Sequence, residues 1–144
     1  MRIYFIRHGE AEPFAKRDFD RHLTTAGRIK LHKSFSTFAK TIKGLGEYKI
    51  YSSPLVRANE TAEILAEYLK KDVEIKEYLA GSYIDEVLED LKEDENYILI
   101  SHEPYISIWI RELTGENVIV SRGSINLVEL DLKEKKGRLF KNIS

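Results

Sequence analysis

The stretch "IYFIRHGEAEP", residues 3–13, places an unbroken apolar run directly before an arginine, a histidine and a glycine. The run Ile3–Ile6 has the composition of a central strand that is covered on both faces. A second apolar run, "YILI" at 97–100, leads in the same way into Ser101 and His102. Two buried strands that both end in reactive polar residues predict a ligand site at the carboxyl-terminal edge of a parallel sheet.

The rest of the chain alternates between strand-like and helix-like segments. Apolar spacing predicts helices from Thr24 or Thr25 to Gly44, across 58–69, across 84–91, and from Pro104 to near Gly115. Further strands are predicted at 48–51, 72–76, 124–132 and 138–143. Ser53 is the expected cap of the second helix, with Pro54 in its first turn. This order predicts an α/β fold: a single three-layer α/β/α domain over residues 1–144, with a mostly parallel sheet and an antiparallel edge near the C-terminus.

The composition limits the classes of function. Of 144 residues, 42% are hydrophobic and 33% are charged, with a formal net charge of −1. This balance allows a packed core and argues against a general nucleic-acid or membrane-surface binder. The chain contains no cysteine, which excludes disulfides, thiolate catalysis and cysteine-based zinc sites. No apolar run approaches the roughly 20 residues needed to span a bilayer, and no leader pattern is evident, so we expect a cytoplasmic protein.

Three polar motifs follow predicted strands: Arg7-His8-Gly9, Ser52-Ser53-Pro54 and Ser101-His102-Glu103. A neutral imidazole is a competent nucleophile, and attack by His8 on phosphorus would give a covalent phosphohistidine. Gly9 would let the chain turn sharply and let a ligand approach the backbone. We therefore expect the strand ends to form one pocket for a phosphoryl group.

Such a pocket must neutralise the charge of the phosphoryl group. Arginine suits this task because its guanidinium is permanently charged and presents a planar fork of donors. Arg7 is adjacent to His8, and Arg57 is predicted in the first turn of the second helix, where the helix N-terminus also favours an anion. His102 would donate a hydrogen bond to a phosphoryl oxygen.

Each of these residues also has a plainer interpretation. His8 and His102 would then be hydrogen-bonded histidines of a turn or a helix cap, and Arg57 a surface arginine, an alternative that the residues alone leave open. Glu10, Ser52 and Ser124 are possible accessory residues, although roles in caps, turns and solvated loops fit them as well. The four histidines lack the spacing of a metal site, and no cofactor is implied.

Four segments of the chain resemble, in order, the signature segments of the histidine phosphatase (phosphoglycerate mutase-like) superfamily: "IRHGE", "LTTAGR", "YSSPLVRANETA" and "ISHEPY". The short chain and the link "DFDRHLTTAGR" resemble the SixA-type phosphohistidine phosphatase branch. The resemblance implies that His8 is the phosphorylated nucleophile. It implies that Arg7, Arg57 and His102 form its phosphate pocket.

The chain departs from this pattern in ways that bear on the substrate. The branch usually carries proline where this chain has His22, which we expect to be a solvated loop residue. Larger relatives carry a lid that often supplies an acidic proton donor; here only Glu77 and Asp85 are candidates, neither within a recognisable motif, and Glu103 is given no catalytic role.

A phosphohistidine substrate needs little acid assistance, because its imidazole leaves as a neutral group when its other nitrogen is protonated. We therefore expect removal of phosphate from phosphohistidine on a partner protein. The alternatives are a small-molecule phosphomonoesterase of the same superfamily and a non-catalytic phosphate or phosphoprotein-binding module. No nucleic acid or membrane partner is expected, and the oligomeric state is left open.

Overall fold

The computed structural model describes residues 1–140. The strands are β1 (Arg2–Arg7), β2 (Tyr48–Ser52), β3 (Val73–Ile75), β4 (Asn96–Ser101), β5 (Ile125–Asp131) and β6 (Lys136–Leu139). The helices are α1 (Thr25–Ile42), α2 (Val56–Leu69), α3 (Ile84–Glu89) and α4 (Tyr105–Thr114), with short 3-10 helices at Asp18–Asp20 and Glu77–Ala80. The strand predicted at 138–143 is therefore placed at 136–139, and residues 141–143 lie outside the described part of the chain.

The strands form one sheet in the order β3-β2-β4-β1-β5-β6. The first four strands in this order are parallel, while β5 pairs antiparallel with β1 and β6 antiparallel with β5. The carboxyl ends of β2, β4 and β1 consequently lie side by side. The predicted fold class, an α/β domain with an antiparallel C-terminal edge, is confirmed.

The side chains of β1 alternate between two cores on opposite faces of the sheet. Ile3 and Phe5 pack with α3 and α4, whose largest buried side chain is Trp109. Tyr4 and Ile6 pack with α1 and α2. Because every β1 side chain between its ends is buried, the strand needs the unbroken apolar run that marked it in the sequence.

The start of α2 differs from the prediction. The helix begins at Val56 with Leu55 at the cap position, so Ser53 and Pro54 lie before it. The physical reason is that Ser53 still belongs to the edge of the sheet: its amide donates to Ile100 O at 3.0 Å. Its hydroxyl oxygen accepts from the Leu55 amide at 3.2 Å, which makes a turn rather than a helix cap.

Candidate active site

The two histidines follow the adjacent strands β1 and β4 directly. Arg7 pairs with Ser101 in the parallel register of these strands, and the amide of His8 donates to Ser101 O at 3.2 Å. The imidazoles of His8 and His102 lie with ring centroids 5.0 Å apart and an interplanar angle of 54°. The sheet therefore brings together two residues that are far apart in the chain.

One hydrogen bond determines which nitrogen of the neutral His8 ring carries the proton. Nδ1 lies 2.8 Å from the carbonyl oxygen of Gly9. A carbonyl oxygen only accepts hydrogen bonds, so Nδ1 carries the proton of the neutral ring. Nε2 then holds the free electron pair and is the nitrogen that this tautomer makes able to act as a nucleophile.

Gly9 allows close packing beneath the histidine. A Cβ at this position would lie 2.7 Å from Leu31 Cδ1, inside van der Waals contact. The amide of Gly9 donates to Thr61 Oγ1 at 3.1 Å. Thr61 Oγ1 in turn donates to Arg57 O on α2 at 2.8 Å. These contacts fix the turn after β1 against the helix that carries Arg57.

Burial and positive charge keep His8 neutral. Desolvation lowers the pKa of His8 to about 4, and the nearby guanidinium groups of Arg57, Arg7 and Arg21 lower it as well, while the hydrogen bond to Gly9 opposes them. An imidazole with this pKa is unprotonated at neutral pH, as nucleophilic attack requires.

The arginines are both held by main-chain carbonyl oxygens. Arg7 Nη1 donates to Val120 O at 3.0 Å, and Arg57 Nη1 donates to Asp18 O at 2.9 Å. Arg57 Nη2 also lies 3.2 Å from the Asp18 carboxylate. Desolvation is the main cause that lowers the pKa of Arg7. These anchors leave donors of both guanidinium groups available to a ligand.

His102 is buried beside His8 and bonded to Ser53. Its Nε2 lies 2.7 Å from Ser53 Oγ. If Nδ1 is to donate to a phosphoryl oxygen it must carry the proton, and the Ser53 hydroxyl then donates to Nε2. Desolvation lowers the pKa of His102 to about 3, helped by His8 and Arg57.

Unpartnered buried nitrogens concentrate at this position. Within residues 1–140, five buried side-chain nitrogen or oxygen atoms lack a hydrogen-bond partner. Three of them are Arg7 Nε, Arg57 Nε and His102 Nδ1. Buried polar groups are normally paired, so three orphaned nitrogens around one imidazole fit a site for an anion with several oxygens.

The three possible accessory residues lie at the same edge of the sheet but have structural partners. Ser52 Oγ donates to Ser53 O at 2.9 Å, and Ser124 Oγ accepts from Asn126 Nδ2 at 3.2 Å. Glu10 accepts from the hydroxyl of Thr24 at 2.8 Å, at the N-terminus of α1. Each contact supports the turn and cap roles weighed from the sequence.

The other titratable candidates are not brought to His8. Asp85 is exposed and pairs with Lys135 at 2.9 Å. Glu77 is exposed on its 3-10 helix. Glu103 accepts from the Ser107 amide at 2.8 Å in the first turn of α4, and its charge opposes the lowering of the Arg7 pKa by desolvation.

His22 is exposed, as expected, and its Nδ1 lies 2.9 Å from Glu60 Oε2.

The sequence did not single out Asp18, Arg21 or Ser53 as site residues. Asp18 binds Arg57, Arg21 Nε donates to Asp18 Oδ1 at 2.9 Å, and Ser53 binds His102. A "DxxR" spacing on a one-turn helix is the signal that would have paired Asp18 with Arg21.

No group of three or more residues that could hold a metal ion occurs in the part of the chain that the structure describes. Among the same residues no helix is long and apolar enough to cross a membrane.

Comparison with known proteins agrees with this geometry. The model of the histidine phosphatase superfamily (branch 1) matches residues 3–85. A phosphohistidine phosphatase SixA homolog of Haemophilus influenzae is 32% identical, with 84% of this chain and 82% of that protein covered. A structure of the protein histidine phosphatase SixA complexed with tungstate superposes with a TM-score of 0.84 at 26% identity, covering 100% of this chain and 97% of the other. A phosphoserine phosphatase of Entamoeba histolytica shares the fold, with a TM-score of 0.71 at 22% identity and coverage of 99% and 96%.

Proposed function

Because the chain belongs to the histidine phosphatase superfamily, branch 1, we propose that it is a phosphatase that removes phosphate from phosphohistidine on a protein. The observation that carries the proposal is the close pair of imidazoles, His8 and His102, together with unpartnered buried nitrogens on His102 and on the two arginines, Arg7 and Arg57, whose charges lower the pKa of His8. The similarity to two SixA proteins supports the phosphohistidine substrate.

The proposed reaction proceeds in two displacements. Nε2 of His8 attacks phosphorus, the bond from phosphorus to the substrate imidazole breaks, and its electron pair leaves with that imidazole. Water then attacks phosphorus, the bond to Nε2 breaks, and its electron pair returns to His8 as inorganic phosphate leaves. Arg7, Arg57 and His102 stabilise the charge on the phosphoryl oxygens in both steps.

The leaving group fits a site whose carboxylates are paired: the Asp18 carboxylate beside Arg57 is also bonded to Arg21, which holds the pKa of Asp18 below its usual value. Asp85 and Glu103 are engaged elsewhere, with Lys135 and the α4 amide respectively. An alkoxide needs a proton as it departs, whereas an imidazole protonated on its other nitrogen departs neutral. This difference favours phosphohistidine over an alkyl phosphate ester.

The covalent intermediate provides the test. Purified protein is incubated with a ³²P-phosphohistidine protein and quenched in alkali during turnover. We expect an alkali-stable, acid-labile label on the purified protein itself, as distinct from the label on its substrate protein. This label should disappear in His8→Ala. His32→Ala is the matched control, since His32 is a surface histidine bonded to Tyr68.

The alternatives give other outcomes. Turnover of an aryl phosphate with none of the phosphohistidine protein would favour a small-molecule phosphomonoesterase. Phosphate binding without turnover of any substrate would favour a binding module. A label that persists in His8→Ala would overturn the assignment of the nucleophile.

A further inference from the structure

The most exposed large apolar side chains of residues 1–140 all lie near the candidate active site. They are Phe14, Tyr83 and Ile119, which are 86%, 81% and 90% exposed. The loops of Phe14 and Tyr83 follow the parallel strands β1 and β3, which places them at the carboxyl-terminal edge of these strands, and Ile119 is placed there by its neighbour Val120, which contacts Arg7 at the end of β1. We call these three residues the apolar rim.

Two members of the apolar rim sit on segments that hold the pocket arginines. Ile119 adjoins Val120, whose carbonyl oxygen accepts from Arg7 at 3.0 Å. Phe14 lies in the loop that contains Asp18, which binds the second arginine of the pocket through its carbonyl oxygen at 2.9 Å. Both residues therefore lie within four positions of a residue that contacts Arg7 or Arg57.

Tyr83 is anchored on the side of His102. The 3-10 helix before it is tied to the end of β4, because Ser101 Oγ donates to Leu79 O at 2.6 Å. The residue next to Tyr83 is also held, since Trp109 Nε1 donates to Ser82 O at 3.0 Å. These two hydrogen bonds hold the residues that lead directly into the exposed Tyr83.

The exposure of the apolar rim indicates the size of its partner. A side chain that lines a cavity for a small ligand is shielded by the cavity walls, whereas these three project into solvent. His8 is only 8% exposed, so a phosphoryl group must enter the pocket to reach it. A small phosphate ester carries no surface that could cover the apolar rim. A phosphohistidine side chain on a protein brings the surrounding protein surface with it.

We propose that the apolar rim is the docking surface for the protein that carries the phosphohistidine. The partner surface it fits has apolar side chains around that histidine, since exposed aromatic and aliphatic groups beside a binding pocket gain most by burial against similar groups. This inference rests on the proposed function and adds how the protein substrate is recognised.

The experiment compares two substrates of the same chemistry. Phe14→Ser, Tyr83→Ser, Ile119→Ser and the triple variant are assayed with two substrates. One is free phosphohistidine, and the other is a protein phosphorylated by phosphoramidate on one surface histidine that apolar side chains surround. We expect kcat/KM for the phosphoprotein to fall about tenfold or more in the triple variant, as for loss of interface anchors. For free phosphohistidine it should stay within about twofold of the parent, because the rim lies outside the pocket. Leu45→Ser is the control, as Leu45 is exposed at the opposite edge of the sheet, before β2.

The outcomes separate this inference from the proposed function. If the parent hydrolyses the phosphoprotein and the triple variant does so equally well, the docking role is overturned alone. An equal loss on both substrates also overturns it, because it would reflect damage to the pocket. A parent without activity on either phosphohistidine substrate would overturn the proposed function as well. A parent dimer that dissociates in the triple variant, seen by sedimentation, would assign the rim to a second copy.

Discussion

Arg57 and Asp18 show a competition at the scale of single residues. Arg57 donates one terminal nitrogen to Asp18 O and lies 3.2 Å from its carboxylate with the other. A phosphoryl oxygen would compete with that carboxylate for the same guanidinium. The charge of Asp18 should therefore weaken phosphate binding, while Arg57 should strengthen it.

We predict opposite effects of removing the two charges. Arg57→Ala should lower turnover by about a hundredfold, the usual effect of losing one donor to a transition-state anion. Asp18→Asn should tighten inhibition by inorganic phosphate about two- to fivefold, because Asp18 is exposed even though Arg57 is buried, and solvent limits such an ion pair to about 1 kcal/mol or less. Steady-state assays with phosphate as inhibitor measure both. Asp20→Asn is the control, since Asp20 pairs with Arg17 instead, and weaker inhibition in Asp18→Asn would contradict the competition.

The residues of the pocket were predictable to different degrees. His8 and His102 follow long apolar runs, so the sequence alone placed them at strand ends. Serine before proline is common at the start of a helix, so the sequence predicts a helix cap at Ser53. No local pattern indicates its contact with His102, which is 49 positions away. The DxxR spacing could pair Asp18 with Arg21, but no local pattern links Asp18 to Arg57, 39 positions away, so only the three-dimensional contact reveals that pair.

At the scale of elements, the start of α1 is packed directly on the loop after β1. A Cβ on Gly27 would lie 2.5 Å from Glu10 O and 3.1 Å from Thr24 Oγ1. The same Glu10 carbonyl accepts from the Thr24 amide at 2.9 Å, so the loop has little room to move. The helix therefore uses glycine where helix propensity alone would favour alanine.

We predict that Gly27→Ala destabilises the protein although it improves helix propensity. The added methyl group must displace backbone, so the free energy of unfolding should fall by about 1–3 kcal/mol. Urea denaturation followed by circular dichroism measures the change. Thr37→Ala on the exposed face of the same helix is the control and should be neutral or slightly stabilising. An unchanged or higher stability of Gly27→Ala would show that the loop yields to the methyl group.

At the scale of the whole molecule, the sequence predicted the layers better than the strand order. Buried strands and alternating helices indicate a parallel sheet, and the carboxyl-edge rule then gathers the polar motifs whatever the order. The order β3-β2-β4-β1-β5-β6 depends on pairings such as Ile3 with Tyr97, which no local pattern encodes. The resemblance to the histidine phosphatase superfamily is confirmed by the family match, while the site roles stay predictions.

The two buried histidines also make stability depend on pH. Their folded pKa values, about 4 for His8 and about 3 for His102, lie below the ordinary value of 6.5. As pH falls below the ordinary value, the unfolded chain takes up protons that the folded chain does not. We predict a loss on the order of 2 kcal/mol for each ring between pH 7 and pH 5. Urea midpoints at both pH values test this.

His102→Asn should show a smaller loss over the same interval than the parent, whereas the surface variant His32→Asn should match it. Equal losses in the parent and His102→Asn would mean that His102 does not oppose folding at acid pH.

The hydrogen bond from His8 Nδ1 to Gly9 O has a consequence for how such a protein diversifies. The acceptor is the carbonyl oxygen of the next residue, so residues 8 and 9 alone determine which nitrogen of His8 is unprotonated. Divergence elsewhere in the chain can therefore change the docking surface that we propose, through loop side chains such as Phe14 and Ile119, while the tautomer of His8 persists.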